Sequence, residues 1–262
     1  MTDWDRKPGF DLSGKRALVV GAGSPAAQAI ALGFAEAGAD VAVASATLDG
    51  DEIMDAKRLS KAIGAMGRAT MSQGWDVTLP TNIQVGLRQV VKDFGRPSII
   101  VYAADATSAG PVTKVTDTEF ARLLNVNTAG AFSTSRSFFK EHEEGVNGRL
   151  IFVTSLLGER GMPNLVAYAA AKAGVAGLVA ALAQEGGPLG ITANAIATGW
   201  MEWTPGRGPA DIGQNRLLRY IPLKRFGTGD DVAGLAILLA SDAASFLNGQ
   251  VFHVDGGVAG HL

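Results

Sequence analysis

The chain has 262 residues, 47% of them hydrophobic, with 34 glycines, no cysteine and a formal charge of −2. That length supports one large domain or two small ones. There is no basic block to serve nucleic acid or an anionic membrane, and without cysteine there are no disulfides and no thiol chemistry. The opening MTDWDRKPGF is polar and mixed in charge, unlike a signal peptide, so a soluble cytoplasmic protein is expected. RALVV (16–20) reads as a buried strand, followed by a helix from about Pro25 to Ala37. DVAVAS (40–45) is a second strand, a helix covers roughly 51–66, and ATMSQ (69–73) is a weaker third strand. A helix near 81–94 leads to SIIVYAA (98–104), the fourth strand, and 116–142 reads as one long helix. GRLIFVTS (148–155), ITANAIA (191–197) and QVFHVDGG (250–257) complete the strands, with helices near 166–185 and 229–241 between them.

Apolar, β-branched strands alternating with helices imply parallel βαβ units. Right-handed crossovers then give an α/β, Rossmann-type doubly wound sheet of about seven strands with helices on both faces. No linker or repeat interrupts the pattern, so residues 1–262 are expected to form a single domain. The irregular stretch near 198–228, rich in Gly, Pro and Trp, is read as a substrate lid. The Ala/Gly-rich run YAAAKAGVAGLVAALAQEGG carries Lys172 and is read as too weakly apolar for a membrane span.

GAGSPAAQAI (21–30) follows the first strand directly. Backbone N–H groups at a helix N-terminus, helped by the helix dipole, form an anion site. Gly21 and Gly23 can serve such a turn. Pro25 suits the first helical turn but removes a donor, and Ala27 is the smallest substitute for a packing glycine. Alone, this loop reads equally as a phosphate cradle or an ordinary tight turn.

YAAAK sets Tyr168 and Lys172 four residues apart, on one helix face. An ammonium beside a phenol favours tyrosinate, which would lower its pKa and suit a general acid/base. The alternative is a surface Tyr with a solvated Lys. Ser155 ends the fifth strand thirteen residues earlier, where open parallel sheets gather their functional groups. Asn127 lies mid-helix, a poor place for Asn.

With these residues in order, the chain resembles the short-chain dehydrogenase/reductase family from LSGKRALVVGAG to GQVFHVDGG. That family's Asn, Ser, Tyr and Lys match Asn127, Ser155, Tyr168 and Lys172. The resemblance implies hydride transfer between nicotinamide and a carbonyl or alcohol carbon. Ser155 would hold the substrate oxygen and Tyr168 would pass the proton. Lys172 would tune Tyr168 and bind the nicotinamide ribose. Asn127 would hold a relay water or, alternatively, serve as a helix-bending structural Asn. Cofactor contacts are implied at Gly21, Gly23, Ser24, Ala26, Ser45, Asp76, Val77, Ala103 and Gly199, besides Tyr168 and Lys172. Substrate contacts are implied at Ser155, Leu157, Trp200 and Met201.

The departures from the family pattern lie on the cofactor side. Its Asn-Asn-Ala-Gly has become Tyr102, Ala103, Ala104 and Asp105, expected to put a carboxylate near the adenine ribose and diphosphate. Its Pro-Gly has become Thr198-Gly199. Asp76 either contacts adenine or caps the following turn. Ser45 stands where NAD-specific members carry an acid, and Ser24 where NADP loops carry a base; Asp49 and Asp51 lie nearby. NADP or NAD therefore remain open, with a lean to NADP. Trp200, Met201 and Trp203 form either a lid over an apolar substrate or a subunit contact. His142, His253 and His261 lack metal-ligand spacing. The helices equivalent to 166–185 pair between subunits in the family, so a homotetramer or homodimer is expected. The expected function is an NAD(P)-dependent oxidoreductase interconverting a small-molecule secondary alcohol and ketone, with no nucleic acid or membrane partner. The competing reading is a catalytically silent binding or assembly module with a degenerate cofactor loop.

Overall fold

The computed structural model describes residues 9–204 and 217–260. Seven strands form one sheet: β1 (Arg16–Val20), β2 (Asp40–Ala44), β3 (Thr70–Gln73), β4 (Ile99–Tyr102), β5 (Gly148–Ser155), β6 (Ile191–Thr198) and β7 (Val251–Val254). Their spatial order is β3-β2-β1-β4-β5-β6-β7, and every pair is parallel. Because successive side chains point to opposite faces, each central strand feeds two cores. Val19, Val43, Val101, Ile151 and Ile196 pack on one face, and Leu18, Ala42, Ile100, Phe152 and Ala195 on the other.

Helices α1 (Pro25–Glu36) and α2 (Gly50–Ala65) cover the first face. α3 (Pro80–Asp93), α4 (Asp117–Leu124) and α5 (Gly130–Glu141) contribute to the second. The short α6 (Leu157–Arg160) precedes α7 (Val166–Gly186), which joins the second face, and α8 (Gly229–Ala240) returns to the first. Side chains set the helix starts. Ser24, Asp49 and Thr116 cap α1, α2 and α4, and Thr228 forms a reciprocal capping box with Asp231 on α8. Arg225 grips the Asp231 carboxylate with two nitrogens, at 2.6 and 2.7 Å.

Several expectations change in detail, and the seventh strand spans Val251–Val254 rather than 250–257. The long helix over 116–142 is interrupted by a π turn at Asn125–Ala129. The fourth strand ends at Tyr102 rather than at residue 104, because the Ala103 amide still bonds to Val20 while the chain turns away toward α4. The segment Val166–Leu189 has the length and apolar composition of a membrane-crossing helix, more than its small side chains suggest. Here it packs on the sheet through Val175, Val179 and Leu182.

Candidate active site

β1 and β4 lie side by side, and the chain leaves them toward opposite edges of the sheet. Such a switch point opens a crevice at the carboxyl ends of the strands. At its floor Gly21 adopts φ +101°, and a Cβ there would stand 2.5 Å from the Ala104 nitrogen. Only glycine lets the end of β1 lie this close to the end of β4. Ser24 accepts from the Ala27 N–H at 3.1 Å and donates to the Ala103 carbonyl at 2.9 Å, so it both caps α1 and ties the turn to β4. Ala26 and Ala27 are buried in the first turn of α1.

The far end of the crevice differs from the sequence reading. Ser45 is 0% exposed; its hydroxyl donates to the Thr47 carbonyl at 2.7 Å and accepts from the Trp75 N–H at 3.0 Å. It therefore binds the ends of β2 and β3 together and is not a ribose contact. A carboxylate is nevertheless present there. Glu52 accepts from the Ala46 and Thr47 amides at 3.0 and 2.8 Å, and its Cγ lies 2.9 Å from where a Cβ on Gly23 would be. Glu52 stands three residues after the α2 cap Asp49, the capping-box position. That spacing is a signal by which the sequence could have found it. Asp76 accepts from the Thr78 amide and hydroxyl at 2.9 and 2.6 Å, which is the turn-capping alternative. The Val77 side chain is buried in the core beside Trp75. Gly199 follows β6 directly, its amide bonded to the Val254 carbonyl at 3.0 Å.

The near end assembles the chemistry. Ser155 closes β5, and its hydroxyl accepts from the Leu157 N–H at 3.2 Å. The first turn of α7 turns the phenol of Tyr168 toward both the Ser155 hydroxyl and the Asp105 carboxylate. One turn later Lys172 is 3% exposed, its Nζ 3.1 Å from Asp105 Oδ1 and 5.6 Å from the centre of the Tyr168 ring. The same Nζ donates to the Val153 carbonyl at 3.4 Å. Two expectations are corrected by this geometry. Asp105 lies against Lys172 and Tyr168, not on the adenine and diphosphate side. The Tyr168 phenol is pushed well above its ordinary pKa, first by burial and then by the Asp105 charge, whereas the neighbouring ammonium was expected to lower it.

Asn127 sits in the π turn and is 1% exposed. Its amide nitrogen donates to the Ala106 and Leu123 carbonyls at 2.8 and 2.9 Å, and its oxygen accepts from the Ala106 N–H at 3.3 Å. These bonds anchor the loop that carries Asp105. Tyr102, in place of the family Asn, donates to the Val126 carbonyl of the same π turn at 2.5 Å.

A cleft of about 450 Å³ opens over Ser155 and Tyr168 and brings in Leu157, Trp200, Met201 and Trp203. Its lining is mostly apolar, and among the described residues Asp105 is its only charged side chain. The central part of the proposed lid, 205–216, lies outside the described residues; Thr204 and Leu217 on either side line the cleft. Among the described residues no cluster of His, Asp or Glu could hold a metal ion. The crevice fits a dinucleotide: a glycine turn and a helix N-terminus at the switch point, and a buried ammonium at the ends of β4 and β5.

Comparison with known proteins agrees. Residues 21–259 match the family described as Enoyl-(Acyl carrier protein) reductase. The chain is 34% identical to 2-dehydro-3-deoxy-D-gluconate 5-dehydrogenase of Pseudoalteromonas atlantica, over 96% of this chain and 98% of that one. It is 32% identical to the 3-oxoacyl-acyl-carrier-protein reductase FabG of Escherichia coli, over 95% and 99%. The crystal structure of a gluconate 5-dehydrogenase from Burkholderia cenocepacia, in complex with NADP and tartrate, superposes with a TM-score of 0.89 at 28% identity, covering 97% of this chain and 99% of that one. The chain therefore belongs to the short-chain dehydrogenase/reductase family, as an NAD(P)-dependent oxidoreductase acting on CH–OH groups.

Proposed function

We propose that the chain interconverts an uncharged secondary alcohol and its ketone, using Ser155, Tyr168 and Lys172. The observation that carries this reading is the convergence of the Tyr168 phenol and the Ser155 hydroxyl at the base of one cleft. A bound nicotinamide coenzyme supplies or accepts the hydride. Gly21, Gly23, Ser24, Ala103, Gly199 and Lys172 would hold it. Ser155 Oγ donates to the substrate oxygen and fixes its position. Tyr168 Oη gives a proton to that oxygen in reduction and takes one from it in oxidation. Lys172 would hold the ribose of the coenzyme, and Asn127 keeps the Asp105 loop in place. This intact set favours an enzyme over a silent binding module.

The choice of an uncharged substrate rests on the cleft. An anionic sugar acid would meet no cation among its described lining residues, only Asp105 and a wall that includes Trp200, Trp203 and Leu157. We extend the proposal to a cytoplasmic single-domain protein that self-associates through α7. The outward residues Ala170, Ala173, Gly174, Gly177 and Ala180 leave a small-residue apolar face on that helix. A screen of neutral cyclic and aromatic ketones, run beside keto-acids with both coenzymes, tests the substrate class. Turnover of the neutral compounds supports the proposal, and turnover confined to the acids overturns it.

A further inference from the structure

The loop after β4 carries an acid whose surroundings are unusual for an acid. Asp105 is 38% exposed on its outer side, while its Oδ1 reaches the nearly buried ammonium of Lys172 at 3.1 Å. The Tyr168 phenol meets the same carboxylate. The loop that presents Asp105 is held at the next residue, where Ala106 exchanges two hydrogen bonds with the buried Asn127 side chain, at 2.8 and 3.3 Å. The carboxylate is thus delivered to this spot by a clamp and is not a loose surface group.

We propose that Asp105 is a positioning residue that keeps the proton on Tyr168 by neutralising Lys172 and accepting from the phenol. This rests on the reading of Tyr168 as the proton-transfer group. Taken alone, the ammonium would draw the phenol toward tyrosinate. Paired with a carboxylate it presents little net charge, and the carboxylate itself repels a second anion at Tyr168 Oη. Among the described residues, the groups that face Tyr168 are Lys172 on its own helix, Ser155 from β5 and Asp105 from the loop after β4. Burial holds the phenol high in any case, and removal of Asp105 should bring its titration down from there.

The test is an ultraviolet tyrosinate titration of the coenzyme-free protein. The chain has three tyrosines, and subtracting the Tyr168→Phe protein isolates the one of interest. In Asp105→Asn, which keeps the shape and removes the charge, Tyr168 should titrate at least about one pH unit lower than in the unmodified protein. Asp105→Ser should move it the same way if the Asn protein does not fold, and Asp105→Glu should retain the original behaviour. An unmoved Tyr168 titration in the Asn or Ser protein overturns the proposal. That failure is distinct from failure of the functional reading, which would show instead as full turnover by Tyr168→Phe.

Discussion

In the proposed mechanism the proton on Tyr168 Oη decides how the two reaction directions respond to pH. Burial and the Asp105 charge raise this phenol well above its ordinary value, so it is protonated throughout the neutral range. Ketone reduction needs that proton and should be flat across neutral pH. Alcohol oxidation needs the phenolate and should climb about tenfold per pH unit toward alkaline pH, because the phenolate fraction grows in that ratio below the pKa. Initial rates in both directions over a pH series check this; an oxidation rate independent of pH would contradict it. The convergence of the proposed catalytic residues is legible because they form a short pattern: Tyr168 and Lys172 one helical turn apart, with Ser155 at a strand end. Asp105 was visible as an oddity but was put at the wrong end of the crevice, since its partner Lys172 is remote in sequence. Ser45 misled because a strand-end position does not reveal whether its side chain turns into the core. Glu52 was missed because it reaches past the helix cap to the end of β2.

At the level of elements, the strands are legible wherever they are buried on both faces, since a continuous apolar run such as Ala17–Val20 has few other uses. The π turn at Asn125–Ala129 was not, because no periodicity marks an extra residue in a helical turn. What fills it is a tertiary contact: the buried Tyr102 hydroxyl donates to the Val126 carbonyl, occupying space that a side chain at Gly130 would need. A Cβ on Gly130 would stand 2.2 Å from that oxygen. Tyr102→Phe should therefore destabilise the fold by about 1–3 kcal/mol, the cost of leaving a buried acceptor unpaired. A denaturant unfolding curve measures it, and an unchanged midpoint would show that the π turn does not depend on Tyr102.

At the scale of the whole molecule, the two-faced sheet places the glycine turn and the Ser155–Tyr168–Lys172 group along the carboxyl edge of its strands, with α7 bearing both the chemistry and an outward apolar face. Phe120 and Phe132 are also exposed, on α4 and α5. The proposed self-association through α7 would cover apolar surface of this kind. A Cβ on Gly177 would meet nothing within 4 Å, so Gly177→Arg leaves the fold of one chain intact and places a charge on that face. Light scattering should then report the mass of a single chain, whereas an unchanged oligomer would move the contact elsewhere. One substitution isolates the proton transfer proposed at Tyr168. Tyr168→Phe keeps the ring and removes the hydroxyl. Its kcat should fall by about 10²–10⁴-fold, with the affinity for NADH or NADPH, followed by nicotinamide fluorescence, nearly unchanged. A Tyr168→Phe protein that turns over substrate at the full rate would contradict the account.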